Sequence, residues 1–147
     1  MADYKVIGTS QKRYDAVEKV TGAAIYSGDI KPDRMCYGRF VASPHAHANI
    51  LSIDISEAEA MPNVVGIITG ADVPEKRYGG YLRDRHILCK KTVRFVGDYV
   101  ALVVATDEVS AANAAAKVKV EYEVLPAIFD VEDAASSNPS VTVHPNL

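Results

Sequence analysis

From Val118 to Val124 apolar and charged residues alternate without a break. Val118, Val120, Tyr122 and Val124 stand against Lys119, Glu121 and Glu123. A period of two puts one face of a strand in a core and the other in water, and Leu125-Pro126 ends it. Upstream, Val93 to Val96 and Tyr99 to Ala105 are β-branched and apolar runs split by Gly97-Asp98, a pattern suited to buried strands. Between the two regions Asp107, Glu108 and Ser110 offer acceptors and negative charge where a helix start has unpaired N–H groups. Ala111, Ala112, Ala114, Ala115 and Ala116 then carry high helix propensity, and Lys117 closes the last turn. Strand, alanine-rich helix and strand in that order predict a βαβ unit with a parallel, right-handed crossover.

A smaller version of the pattern lies earlier. Asn49 to Ile55 alternates so that Leu51, Ile53 and Ile55 share one face of a strand. Ser56 and Glu59 have capping-box spacing, Ala58 and Ala60 favour a short helix, Met61-Pro62 stops it, and Val64 to Thr69 reads as another buried strand. The helix is shorter than a parallel crossover normally needs, so this unit is not required to be parallel. Met35 to Ala42 predicts a further strand, broken by Ser43-Pro44. Residues 13–29 read as loop with a brief strand, 70–91 as a long loop without apolar period, and Glu132 to Ala135 as a turn. The resulting expectation is an α+β fold: a mixed sheet with a βαβ unit and two main helices. It has a leader at 1-12, a domain at 13-135 and a linker at 136-147.

At 147 residues, 48% of them apolar or aromatic, the chain has the size and the material for one ordinary domain with a real core. A net charge of −3 argues against a nucleic-acid partner, because neutralising phosphates needs a basic face. The apolar run from Tyr99 to Ala105 is far shorter than the roughly 18 residues of a membrane span, and Met1 to Ser10 lacks a signal-peptide core, which makes the cytoplasm the default. Cys36 and Cys89 cannot form a disulfide framework and sit in no CxxC pair, so reduced thiols are expected.

Candidate chemistry is sparse. His45 and His47, two apart in Pro44-His45-Ala46-His47-Ala48, could share a metal if the backbone is extended, as in a small metal-dependent hydrolase. Further ligands would be needed, and His86 and His144 are not spaced to supply them. Cys36 and Cys89 lie near no activating group and read as small hydrophobes. Arg83, Arg85, Lys90 and Lys91 form a basic cluster that suits an acidic partner, a phosphate or plain solvent. Gly97-Asp98 invites a catalytic acid, but a glycine turn explains it more simply. Glu121 and Glu123 lie on the wet face of a strand. Spacing therefore assigns no catalytic residue, no cofactor-binding residue and no metal ligand.

Taken together, Arg13-Tyr14-Asp15, the run Lys19 to Tyr26, the run Ser43 to Ile50, Ile53-Asp54, Val96-Gly97-Asp98 and the run Val118 to Pro126 resemble the α/β-hammerhead domain of one family. That domain opens the molybdenum-binding subunit of xanthine dehydrogenase and aldehyde oxidase type enzymes. The blocks match in order and separation from about Arg13 to Ala135. Tyr99 is a departure, standing where many relatives carry proline.

The resemblance implies a hammerhead fold within a molybdenum hydroxylase, which hydroxylates a carbon of a heterocycle, aldehyde or related substrate with oxygen from water. It implies molybdopterin-molybdenum, [2Fe-2S] clusters and FAD in the assembled enzyme, none of them bound by this chain alone. The expected partners are the remaining molybdenum-subunit domains and the iron–sulfur and flavin subunits. Met1 lies a few residues before the first motif, as in family members whose molybdenum subunit is a separate polypeptide. The pterin-contacting glycine segments and the base glutamate belong to later domains, so no catalytic residue is carried over and the isolated chain is expected to be inactive. The alternative is a stand-alone adapter or split-subunit protein.

Overall fold

The computed structural model describes residues 5–144; the first four residues of the expected leader and the last three of the expected linker lie outside the described residues. The chain divides into two compact units, Met1–Met35 and Cys36–Leu147.

In the first unit, helix α1 (Ala16–Thr21) occupies the stretch expected as loop and brief strand, followed by a 3-10 turn at Ser27–Asp29. The Asp15 carboxylate stands before α1, 2.6 Å from Arg13 Nε and 2.6 Å from Lys19 Nζ. Gly22, with φ of 74°, sends its N–H back to the Glu18 and Lys19 carbonyls and ends the helix. A six-residue helix that buries none of its residues leaves no apolar stripe for periodicity to detect. The stop at Gly22 was the available signal.

The second unit carries, in order, β1 (Tyr37–Ala42), β2 (Ala48–Asp54), α2 (Ser56–Glu59), β3 (Val64–Thr69), β4 (Arg77–Tyr78), β5 (Arg85–His86), β6 (Thr92–Val93), β7 (Tyr99–Ala105), α3 (Glu108–Ala115), β8 (Lys119–Val124) and α4 (Val131–Ala135). Three sheets form, ordered β1-β7-β3, β6-β2-β8 and β4-β5, and every pairing among the described residues is antiparallel. The expected mixed sheet with its parallel βαβ unit is thereby corrected. Strand β7, helix α3 and strand β8 follow one another as expected, but β7 is the centre of one sheet and β8 an edge of another. The charged face of β8, Lys119, Glu121 and Glu123, is exposed. That is how a one-sided antiparallel strand reads, because parallel strands are usually covered on both faces.

Two buried clusters hold this unit. Ala48, Cys89, Val93 and Val100 gather Ile50, Ile53, Val120 and Tyr122 around them, while Ala58, Val103 and Ala114 gather Met61, Val64, Ile67 and Val118. Val41 packs against both. Helix α3 starts where expected, with the Asp107 carboxylate accepting the Ser110 N–H at 2.8 Å.

Five local expectations change. The register of β2 against β8 shifts between Ile50 and Ser52, so Ile50 and Ile53 pack inward while Leu51 is 63% exposed; a bulge breaks strict alternation. Ser56 does not cap α2, because its N–H and hydroxyl both donate to Asp54 Oδ1, at 3.0 and 2.6 Å. The run Val93 to Val96 is strand only to Val93, and the rest turns toward Gly97, whose φ is 96°. The long loop at 70–91 contains the β4–β5 pair, and the expected turn at Glu132 to Ala135 is α4, capped by Asp130. Among the described residues no helix is long and apolar enough to cross a membrane.

Candidate functional site

The two best-marked loops of the second unit are bonded to each other. The Ser43 N–H donates to the Asp98 carbonyl and the Gly97 N–H donates to the Ser43 carbonyl, both at 2.8 Å. The Arg94 N–H donates to Asp98 Oδ2 at 3.0 Å, so this carboxylate braces its own turn. Gly97 supplies the positive φ that the turn requires. Gly97-Asp98 thus forms the glycine turn expected of it.

Ser43 is only 2% exposed, and its hydroxyl is spent locally: Oγ donates to the His45 carbonyl and accepts the His45 N–H, each at 3.0 Å. Residues 44–47 are accordingly bent, in place of the extended backbone on which a shared His45 and His47 face depended. The two rings have different partners. His45 meets Tyr122 edge-on at 5.0 Å between centroids, while His47 Nδ1 donates to the Pro126 carbonyl at 2.7 Å, since a carbonyl can only accept. The Leu125 N–H returns a bond to the His47 carbonyl at 2.9 Å. Both histidines therefore tie the end of β8 to the loop after β1. Among the described residues no group of three or more His, Cys, Asp or Glu side chains is placed to hold a metal ion, so the geometry gives the HxH hydrolase reading no support.

Beside the turn lies a cavity of about 110 Å³, with Asp84, His86, Cys89, Arg94, Asp98 and His144 in its lining. Cys89 is buried, and burial together with the Asp98 carboxylate pushes its thiol up to about 12. It is protonated at neutral pH and a poor nucleophile. His144 is held below the usual imidazole range by burial first and by the Arg94 cation next, with Asp84 opposing from 3.8 Å. The expectation of a small buried hydrophobe fits Cys89; Cys36 is exposed.

A second concavity, about 270 Å³, gathers Arg77, His86, Lys90, Lys91, Thr92 and Arg94 with one carboxylate, Glu75. Of the basic cluster seen in the sequence, Lys90 and Lys91 take part. Arg83 and Arg85 do not line it, and the Arg85 guanidinium lies 5.7 Å from the centroid of the Phe95 ring. Arg77 and Arg94 were missed because they are distant in sequence. The signal for Arg94 was a single charge inside the apolar run from Val93 to Val96.

Residues 21–126 match the family model described as "Aldehyde oxidase and xanthine dehydrogenase, a/b hammerhead domain". The chain is 39% identical, over 90% of its length, to the xanthine dehydrogenase molybdenum-binding subunit of Escherichia coli O157:H7, and spans 19% of that protein. It is also 39% identical, over 98% of its length, to the aldehyde oxidoreductase of Megalodesulfovibrio gigas, and spans 17% of it. In three dimensions it superposes on the CO dehydrogenase of Oligotropha carboxidovorans with a TM-score of 0.83 and 36% identity, covering 90% of this chain and 17% of that one. The aldehyde oxidoreductase of Desulfovibrio desulfuricans ATCC 27774 gives a TM-score of 0.85 and 33% identity, covering 95% and 17%. A match over most of the second unit, at identities well above what shared architecture alone explains, places the chain in the aldehyde oxidase and xanthine dehydrogenase a/b hammerhead domain family.

Proposed function

We propose that this chain is the structural, interdomain part of the molybdenum-binding subunit of a molybdenum hydroxylase, an oxidoreductase of xanthine dehydrogenase type, and is not catalytic by itself. The observation that carries this reading is the mismatch of coverage. The chain aligns over nine-tenths of its own length with an E. coli relative named a molybdenum-binding subunit, yet spans 19% of it. The domain runs over 13-135, and 136-147 leads toward a molybdopterin-binding domain.

No side chain of this unit is assigned to molybdopterin, and no catalytic step is assigned to these residues. Their part is to present surfaces to the domains that hold molybdopterin-molybdenum, and to the iron–sulfur and flavin partners that pass electrons on. Exposed Val17, Val20, Ile25 and Phe129 are in keeping with a piece that packs against neighbours. The assembled enzyme works in the cytoplasm.

The test is an antibody against this chain applied to an extract of the source cells, with metal analysis of the captured material. Capture of stoichiometric molybdenum, in a band much larger than 15.9 kDa or together with partner chains, is the expected result. A defined stoichiometric complex free of molybdenum would overturn the reading in favour of an adapter.

A further inference from the structure

The concavity beside β4 and β5 differs in charge from the rest of the chain. The whole sequence carries a net charge of −3, yet here Arg77, Lys90, Lys91 and Arg94 meet one carboxylate, Glu75. Among the described residues none of these four cations has a carboxylate partner within salt-bridge distance, whereas Arg13, Lys19, Lys117 and Lys119 all do. Arg94 is fixed in place by carbonyls instead, donating from Nε to Val143 at 3.2 Å and from a terminal nitrogen to Thr92 at 3.4 Å. Carbonyl contacts orient a guanidinium without neutralising it, so its charge stays available. Burial first, and then the Arg94 and Arg77 cations, lower the titration of the nearby His144, in line with the same positive field.

We propose that this groove is a docking site for an acidic polypeptide segment of a partner, one carrying several carboxylates spaced along an extended backbone. Three features favour that occupant over a single small anion. The four cations, from β4, the segment between β5 and β6, and the residue after β6, outnumber the one carboxylate by three charges, more than a single small anion neutralises. No helix begins among the lining residues, so no helix N-terminus presents its free backbone N–H groups to a phosphate here. Arg77, Lys90 and Lys91 are exposed, and exposed cations hold a lone anion weakly but act together on a multivalent one.

The experiment follows the fluorescence anisotropy of a labelled peptide of alternating glutamate and glycine, with a glutamine-for-glutamate counterpart, on this chain and on two variants. One variant carries Lys90→Glu with Lys91→Glu; the other is a charge-matched control with Lys12→Glu and Arg39→Glu, neither residue lining the groove. The glutamate peptide should bind and the glutamine peptide should not. The groove variant should weaken binding about tenfold or more and the control by much less, with affinity falling as salt rises from about 50 to about 300 mM. Equal binding of the two peptides, or equal losses in the two variants, would overturn the proposal. So would displacement of the peptide by micromolar inorganic phosphate, which would make the site one for a small anion. Overlapping circular dichroism spectra of the three proteins confirm that charge rather than folding is compared.

Discussion

Ser43 and Asp98 are joined main chain to main chain, the Ser43 N–H donating to the Asp98 carbonyl at 2.8 Å, and Gly97 completes the clamp by donating to the Ser43 carbonyl. The clamp depends on the left-handed backbone of Gly97, at φ of 96°. A Cβ there meets nothing within 4 Å, so replacing Gly97 tests conformation alone. Gly97→Ala is expected to cost about 1–2 kcal/mol, read as a lower urea midpoint with unchanged slope. Gly66→Ala, in equally open space without a positive φ, should not lower the midpoint. Equal losses from both substitutions would contradict the strain argument.

Helices α2 and α3 come together through alanine. Ala58 and Ala114 are both fully buried beside Val103, leaving no room for a longer side chain. Ala114→Leu is expected to destabilise by about 1–3 kcal/mol through overpacking, whereas Ala112→Leu, on the exposed side of α3, should stay within about 0.5 kcal/mol. Urea denaturation of the two variants separates them. A loss in the second as large as in the first would mean that α3 is not oriented as described.

Sequence pattern located β1, β2, β3, β7, β8 and the start of α3, because Asp107 and the alternation from Val118 to Val124 act locally, but it read the stretch that holds β4 and β5 as loop. It did not locate their partners. Which sheet receives β8 depends on what covers each face, and the order strand, helix, strand is the same for both answers. The wet face formed by Lys119, Glu121 and Glu123 was the discriminating signal. The HxH reading depended on extended backbone, which the two Ser43 hydroxyl bonds to His45 remove. The basic groove was half legible. Lys90 and Lys91 are adjacent in sequence, but Arg77, on β4, and Arg94, after β6, join them only in the folded unit.

The two cysteines should differ sharply in reactivity. Cys36 is exposed, while Cys89 is buried with its thiol pushed up to about 12, and alkylation needs both access and thiolate. Iodoacetamide at pH 8 should add one group to the native chain, at Cys36, and a second only in denaturant. Peptide mass spectrometry reads the positions. Prompt labelling of Cys89 in the native protein would show that its surroundings open readily.

Glu57 joins α2 to the start of β8, with Oε1 2.9 Å from Lys117 Nζ and Oε2 2.7 Å from Lys119 Nζ. Lys119 first and Lys117 second hold its carboxyl well below the ordinary 4.5, at about 2. Because the folded value lies below the unfolded one, the stabilisation is complete above about pH 4.5, declines as the pH falls from there, and is gone once the pH has passed below about 2. The pair is open to solvent, so the effect is modest and screened by salt. Glu57→Gln should therefore melt below the parent at pH 7, with a gap that narrows between pH 4.5 and 2 and is reduced in about 1 M salt. Thermal unfolding across that range provides the measurement. A gap that stays constant down to pH 2 would assign the role of Glu57 to side-chain packing instead of charge.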